Sequence, residues 1–65
     1  MRLIVNGEVY ESMQCTLATL LEELQLDDAV VATALNGQFI AKDRRSTTPI
    51  YSGDRVEVLS PMQGG

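Results

Sequence analysis

Two short apolar runs separated by Asn-Gly open the chain and predict a β-hairpin. Leu3-Ile4-Val5 and Val9-Tyr10 are rich in β-branched and aromatic side chains, and Asn6-Gly7 lies between them. Asn and Gly tolerate the positive φ that both central residues of a type I′ turn require. We therefore expect one strand at about residues 1–5 and a second at about residues 8–13.

The apolar spacing then changes from that of a strand to that of a helix. Four leucines lie at i, i+3, i+4 and i+7, which is one helical stripe: Leu17, Leu20, Leu21 and Leu24. Thr16 precedes the stripe, and its hydroxyl can accept a hydrogen bond from an exposed backbone N–H as the N-cap. Because neither Glu nor Gln occupies the third helical position, we expect no capping box. The predicted helix covers about residues 16–25.

The second half of the chain returns to strand patterns. A second Asn-Gly, Asn36-Gly37, joins a β-prone run at residues 30–35 to a short returning strand at 38–40. Residues 55–59 alternate between polar and apolar side chains and predict a final strand. Pro61 should end that strand, because proline cannot donate a hydrogen bond to a neighbouring strand.

The predicted element order is ββαβββ, which indicates an α+β fold. We expect a mixed sheet of about five strands with one helix packed across its face. Alternate residues of the first and last strands can supply the apolar partner for the leucine stripe: Leu3, Val5, Val56 and Val58. Burial of the four leucines, at about 1.5–3 kcal/mol each, is the expected main stabilising contribution. The predicted domain covers residues 1–61, followed by a flexible tail at 62–65.

Composition limits what this small domain can be. The chain has 65 residues, a net charge of −4, one cysteine and no histidine. One cysteine excludes an intramolecular disulfide, and a tetrahedral zinc site has too few ligands, so we expect no bound metal or cofactor. The acidic balance argues against nucleic-acid binding. No signal peptide and no apolar stretch of about 20 residues is present, so we expect no membrane association and a cytoplasmic location.

The sequence ends on Gly64-Gly65, which adds nothing to core packing. One interpretation is an ordinary frayed terminus. The alternative is a thin arm that carries one carboxylate into a narrow channel of another protein. A carboxylate is a poor acyl donor, so this chemistry requires a partner that binds ATP and activates the acid as an acyl-adenylate.

Short motifs along the whole chain occur in the order and spacing of one family. They are Leu3-Ile4-Val5-Asn6-Gly7, Thr16-Leu17-Ala18-Thr19-Leu20-Leu21, Val31-Ala32, Leu35-Asn36-Gly37, Gly53-Asp54-Arg55-Val56-Glu57 and Gly64-Gly65. With these motifs the chain resembles the ubiquitin-like β-grasp sulfur carriers, and most closely the ThiS family of thiamin biosynthesis. Ala41-Lys42 departs from the Pro-Arg-like pair expected in many relatives.

The resemblance implies a β-grasp carrier protein and not an enzyme. It implies that an E1-like adenylyltransferase of the ThiF type uses ATP to adenylate Gly65, at the end of the Gly64 arm. A sulfur-donor system then converts the adenylate to a thiocarboxylate, whose sulfur passes to a thiazole synthase of the ThiG type. Two alternatives stay open: a carrier for molybdopterin, tRNA thiolation or cysteine synthesis, and a β-grasp conjugation or interaction module without sulfur chemistry.

The residues that lead into the tail are candidates for partner binding. Leu59 and Met62 are apolar, and methionine adapts to differently shaped partner surfaces. Together with Gln63 we interpret them as a docking stretch for the partner proteins. The alternative is that Leu59 and Met62 are ordinary core or scattered surface residues.

The remaining chemically active side chains have simpler interpretations. Without a histidine, Cys15 lacks an obvious base, and we interpret it as a structural or incidental residue, because free cysteines often behave as small buried hydrophobes. Glu22-Glu23 and Asp27-Asp28 are interpreted as a solvated acidic face that attracts a basic partner surface. Together with the lack of a phosphate-binding glycine loop, these features leave no convincing catalytic set.

The one basic cluster lies in a stretch that is expected to be irregular. Lys42, Arg44 and Arg45 belong to residues 42–49, which are mainly polar. We interpret the three side chains as parts of a solvated loop, because isolated surface charges contribute little to stability. Contact with an acidic partner is the alternative.

Overall fold

The computed structural model describes residues 1–60, and residues 61–65 lie outside the described part. The elements are β1 (Arg2–Val5), β2 (Glu8–Glu11), α1 (Leu17–Glu23), β3 (Ala32–Leu35), β4 (Gln38–Ile40), a 3-10 helix (Lys42–Thr47) and β5 (Arg55–Leu59). The predicted order ββαβββ is therefore confirmed. The predicted tail at 62–65 and the role of Pro61 fall outside the described residues.

Both Asn-Gly pairs form the tight turns that the sequence predicts. Asn6 and Gly7 have φ angles of 50° and 82°, and Asn36 and Gly37 have φ angles of 51° and 86°. Positive φ at both central residues is the signature of a type I′ turn. The first turn joins β1 to β2 and the second joins β3 to β4, each as an antiparallel hairpin.

Helix α1 has a capping box, and the prediction that it has none is wrong. The Thr16 hydroxyl accepts a hydrogen bond from the Thr19 backbone N–H at 3.2 Å, and the Thr19 hydroxyl accepts one from the Thr16 N–H at 3.3 Å. A threonine hydroxyl thus replaces the carboxylate or amide that usually occupies the third position. The helix ends where Gln25 adopts a φ of 62°, and the Leu26 N–H closes the last turn on the Leu21 carbonyl at 2.8 Å.

The five strands form one mixed sheet in the order β2-β1-β5-β3-β4. β5 lies at its centre, parallel to β1 and antiparallel to β3. The last strand in the chain thus joins the two hairpins into one sheet. This arrangement places β5 between strands that come from distant parts of the sequence.

The core lies between one face of the sheet and α1. Its buried residues are Leu3, Leu17, Leu20, Ile50 and Val56, with Val5, Leu24 and Val58 among the partly buried residues packed against them. The predicted pairing of the leucine stripe with β1 and β5 is therefore confirmed for Leu17, Leu20 and Leu24, whereas Leu21 is buried outside this cluster. Ile50, which directly follows the stretch that was expected to be irregular, completes the core.

Residues 42–49 contain a 3-10 helix, so the expectation of an irregular loop is wrong over Lys42–Thr47. The solvated interpretation is also wrong for Arg45, whose residue surface is only 6% exposed. Its Nε donates to the Thr33 hydroxyl at 3.0 Å, and its Nη2 donates to the Val31 carbonyl at 2.8 Å. Lys42 and Arg44 are exposed as expected.

Candidate functional site at the end of the central strand

The chain leaves the sheet from its centre. β5 pairs with β1 through Ile4↔Arg55 and Val5↔Val56, and it pairs with β3 as far as Ala32↔Leu59. Ser60 follows Leu59 as the last described residue and is exposed. The residues that carry the predicted chemistry therefore follow directly from the central strand, at its carboxyl end.

Leu59 is exposed at this end of β5, with 67% of its surface accessible. Val56 and Val58 face the core, so the alternation of the strand turns Leu59 to the opposite face of the sheet. This excludes the alternative that Leu59 is a core residue. The exposure fits the predicted docking role, which itself stays a prediction.

Four of the predicted site residues lie outside the described part of the chain. They are Met62, Gln63, Gly64 and Gly65. The structure thus brings only Leu59 of the predicted set into view, and the roles of the other four stay predictions.

The face of the sheet opposite α1 carries further apolar side chains, together with the charged Arg55 and Glu57 of β5. We call it the open face and define it by Ile4, Val9, Ala34, Phe39 and Leu59. Phe39 is 70% exposed and is paired with Ala34, while Val9 is exposed and paired with Ile4. Phe39 and Val9 were not predicted as site residues. Because Tyr10 and Ile40 face the core, the alternation of β2 and β4 turns their neighbours Val9 and Phe39 to the open face. This alternation is the sequence signal that could have identified them.

Asn6 also reaches the candidate site, although it was interpreted only as a turn residue. Its side-chain Oδ1 accepts a hydrogen bond from the Val58 N–H at 2.8 Å, and its Nδ2 donates to the Val58 carbonyl at 3.2 Å. No sequence signal separates this role from turn formation, because the positive φ alone explains an asparagine at this position.

Cys15 is exposed, which excludes a role as a small buried hydrophobe and leaves the interpretation as an incidental residue. It lies beside Pro49 and Ile50 at the start of α1, because the Ile50 N–H donates to the Cys15 carbonyl at 3.0 Å. Cys15 thus belongs to the end of the molecule where β5 begins, away from Leu59.

Glu23 is part of a hydrogen-bond cluster and not only of a solvated acidic face. Its carboxylate accepts hydrogen bonds from the Tyr10 hydroxyl, from Gln14 Nε2 at 3.0 Å and from the Ser12 hydroxyl at 3.4 Å. These bonds, that of Tyr10 above all, lower the pKa of Glu23, and the same contact raises the pKa of Tyr10. The cluster ties β2 and the segment after it to α1.

Two further properties concern the described residues alone. Across residues 1–60, no three His, Cys, Asp or Glu side chains are grouped so that they could hold a metal ion. In the same part of the chain, no helix has both the length and the apolar character needed to cross a membrane.

Comparison with known proteins identifies the family. The sequence profile of the ThiS family matches residues 2–65, which is nearly the whole chain and includes the terminal glycines. The chain belongs to the ThiS family. Membership implies a sulfur carrier of thiamin biosynthesis, and ThiS proteins are carriers and not enzymes.

Two solved structures agree with this assignment to the ThiS family. A crystal structure of the thiamine biosynthesis protein ThiS from Geobacter metallireducens is 32% identical over 100% of both chains, with a TM-score of 0.85. A solution NMR structure from the same organism, also 32% identical, covers 100% of this chain and 88% of that one, with a TM-score of 0.80. The predicted β-grasp fold is therefore confirmed. A comparison with curated proteins found no match.

Proposed function

We propose that this chain carries sulfur on the carboxyl group of Gly65, as a thiocarboxylate used to form the thiazole of thiamin. The observation that supports the proposal most strongly is the ThiS family match over residues 2–65, which extends through Gly64 and Gly65. The geometry agrees with it, because the central strand β5 ends exposed at Leu59 and leads into the residues that precede these glycines.

The chemistry divides between the chain and its partners. The Gly65 carboxylate attacks the α-phosphorus of ATP bound by a ThiF-type adenylyltransferase, which forms an acyl-adenylate and releases pyrophosphate. Sulfur at the sulfide level, delivered by the sulfur-donor system as HS⁻, attacks the acyl carbon; AMP leaves and the S–H proton is released. The product is a thiocarboxylate, which a ThiG-type thiazole synthase uses as its sulfur source. This chain supplies the acid group and the surface that docks on the partners.

We assign the docking surface to the open face and to Leu59 in particular. Exposed leucine and phenylalanine side chains on one sheet face are the kind of apolar patch that partner proteins cover. Leu59 is adjacent to Ser60, so a partner that covers it is also placed close to the start of the terminal segment. Met62 and Gln63 extend the proposed contact toward Gly64.

Intact-mass measurement after incubation with the adenylyltransferase, ATP and a sulfur donor tests the proposal. The unaltered chain should gain the mass difference between one sulfur and one oxygen atom. A variant that lacks Gly65 should show no gain, because its acid group is one residue short of the reactive position. Met13→Ala changes an exposed residue beside Met1 and Tyr51, where β5 begins, and should react like the unaltered chain.

Two results would contradict the proposal. One is the absence of a mass gain with a partner that is shown to be active on another carrier. The other is formation of an isopeptide bond between Gly65 and a lysine in place of the thiocarboxylate, which indicates a conjugation module. If the mass gain occurs, restoration of growth without thiamin in a carrier-deficient strain separates thiazole formation from other sulfur acceptors.

A further inference from the structure

The two sides of β5 are held differently near its carboxyl end. On the β3 side, backbone pairing continues through Thr33↔Val58 and Ala32↔Leu59. On the β1 side, the last pair is Val5↔Val56. β1 ends there because Asn6 and Gly7 turn the chain away into β2. The backbone of Val58 consequently has no strand beside it on this side.

The side chain of Asn6 takes the place of the missing strand. The Asn6 backbone N–H first donates to the Val56 carbonyl at 2.9 Å. Its side-chain amide then bonds both polar groups of the Val58 backbone, accepting from N–H at 2.8 Å and donating to the carbonyl at 3.2 Å. Because the side-chain amide offers both an N–H donor and a carbonyl acceptor, it matches the hydrogen-bond pattern that a neighbouring strand offers. The two residues are 52 positions apart in the sequence.

The second Asn-Gly turn provides a comparison within the same molecule. The Asn36 Oδ1 accepts from the Arg55 N–H at 2.9 Å, and its Nδ2 donates to Asp54 Oδ1 at 3.1 Å. Asn36 therefore holds the amino end of β5, whereas Asn6 holds the carboxyl end. Both residues are exposed and have nearly the same positive φ. They differ in which end of the central strand they fix.

We propose that Asn6 is a positioning residue for the terminal acid group. By holding Val58 on the side that lacks a neighbouring strand, Asn6 sets the direction in which Ser60 leaves the sheet after Leu59. That direction determines where the following residues begin relative to a partner docked on the open face. This inference rests on the proposed function, since it assumes that the Gly65 carboxyl group reacts in the active site of a docked partner.

The proposal separates docking from reaction. Docking depends on the open face, which does not include the Asn6 amide. The reaction depends on how often the acid group is aligned with ATP, and misalignment of bound reactants slows a reaction without weakening their binding. Loss of the amide should therefore lower kcat for adenylation of the carrier and leave the KM for the carrier unchanged.

Asn6→Gly is the direct test, because glycine keeps the positive φ of the turn and removes only the side chain. Asn36→Gly is the matched control at the other end of β5. Asn6→Asp keeps an acceptor for the Val58 N–H but loses the donor to the Val58 carbonyl. Steady-state adenylation with the ThiF-type partner gives kcat and KM for each carrier. Amide hydrogen exchange followed by NMR measures the protection of the Val58 N–H.

We expect Asn6→Gly to lower kcat about ten-fold with an unchanged KM, and to speed exchange of the Val58 N–H about ten-fold. Asn6→Asp should fall between Asn6→Gly and the unaltered chain. Asn36→Gly should leave kcat unchanged, even if it lowers the unfolding temperature as much as Asn6→Gly does. If Asn6→Gly is too unstable to assay, the comparison of Asn6→Asp with Asn36→Gly decides in the same way.

Three outcomes overturn the inference: equal losses of kcat in Asn6→Gly and Asn36→Gly, a rise in KM in place of a fall in kcat, or normal kinetics despite rapid exchange at Val58. Failure of the proposed function looks different. In that case the unaltered chain itself is not adenylated and gains no mass, whereas failure of this inference leaves both reactions of the unaltered chain intact.

Discussion

Arg45 brings a charged group into the interior of a domain with a small core. Its guanidinium group donates to the Thr33 hydroxyl and to the Val31 carbonyl, and the Thr33 hydroxyl in turn donates to the Ile40 carbonyl at 2.8 Å. Among residues 1–60, Arg45 forms no ion pair with a carboxylate. The side chain thus links the 3-10 helix to β3 through hydrogen bonds and through the packing of its aliphatic part.

Replacement of Arg45 tests the importance of this link. Arg45→Ala should lower the free energy of unfolding by about 1–3 kcal/mol, because the Val31 carbonyl loses a buried partner and the aliphatic part leaves a void. Urea unfolding followed by circular dichroism measures the change. Arg44→Ala is the control, since Arg44 is exposed on the same 3-10 helix. Its effect should stay within about 0.5 kcal/mol, and equal losses in both variants would contradict this role for Arg45.

Single residues also show where sequence prediction reaches its limit. The glycines and asparagines of the two turns were predictable, because few residues tolerate positive φ. Arg45 was not, because its burial depends on Thr33 and Val31, which are distant in the sequence. Thr19 was missed because the usual capping-box rule looks for Glu or Gln, whereas a hydroxyl group fulfils the same role. Exposure of Cys15 was missed because cysteine is usually buried.

Among the elements, α1 and β2 are connected by the Glu23 cluster. The hydrogen bond from Tyr10, followed by that from Gln14, holds the pKa of Glu23 below its ordinary value. A carboxyl group whose pKa is lower in the folded state stabilises the fold above its unfolded pKa. That contribution disappears as the pH falls through the folded pKa. The connection between α1 and β2 should therefore weaken in acid.

Glu23→Gln should lower stability near neutral pH and reduce the loss of stability in acid. The difference in unfolding free energy between this variant and the unaltered chain should shrink as the pH falls through the carboxyl range. Thermal unfolding at a series of pH values measures it. Glu22→Gln changes an exposed neighbour that makes none of these hydrogen bonds, and its curve should follow that of the unaltered chain. A constant difference for Glu23→Gln at all pH values would contradict the assignment.

The hydrogen bond between Tyr10 and Glu23 also affects the stability of the fold at alkaline pH. This bond raises the pKa of the Tyr10 hydroxyl. A raised pKa means that this contribution is fully present below the ordinary tyrosine pKa and is lost as the pH rises through the folded value. Tyr10→Phe should remove the loss of unfolding free energy at alkaline pH that belongs to this contact, which thermal unfolding at a series of alkaline pH values measures. If stability falls at alkaline pH by the same amount in Tyr10→Phe and in the unaltered chain, the contact does not contribute in that range.

The strand and helix elements were largely predictable because their patterns are local. Leucine spacing gave α1, and alternation gave β5. The order of strands in the sheet was not predictable, because neither pattern says which neighbours β5 takes. The 3-10 helix was missed for a related reason: its residues are polar, and its position depends on α1 and on the burial of Arg45.

At the scale of the whole molecule, exposed apolar residues lie at both ends of β5. Leu59 is at the carboxyl end on the open face, and Met13, which is 88% exposed, lies near the amino end. Only the first is next to the residues that lead to Gly65. The proposed function therefore predicts that these two similar side chains have different effects on partner binding.

Leu59→Ala should weaken association with the ThiF-type partner about ten-fold, as expected for one of the few residues that dominate an interface. Because Leu59 is exposed, unfolding stability should change by no more than about 0.5 kcal/mol. Surface plasmon resonance measures the association. Met13→Ala serves as the control and should bind normally. Equal effects in both variants, or loss of the fold in Leu59→Ala, would argue against docking through Leu59.

The position of β5 at the centre of the sheet also governs how the protein is made. The two hairpins arise from nearby residues, but they have no shared sheet until residues 55–59 have been synthesised. Isolated two-stranded hairpins are marginally stable in water, and their unpaired edges invite aggregation. A ribosome must therefore translate the codons for β5 before the nascent chain can fold. A chain that ends before β5 therefore lacks the strand that joins the two hairpins and should stay unfolded.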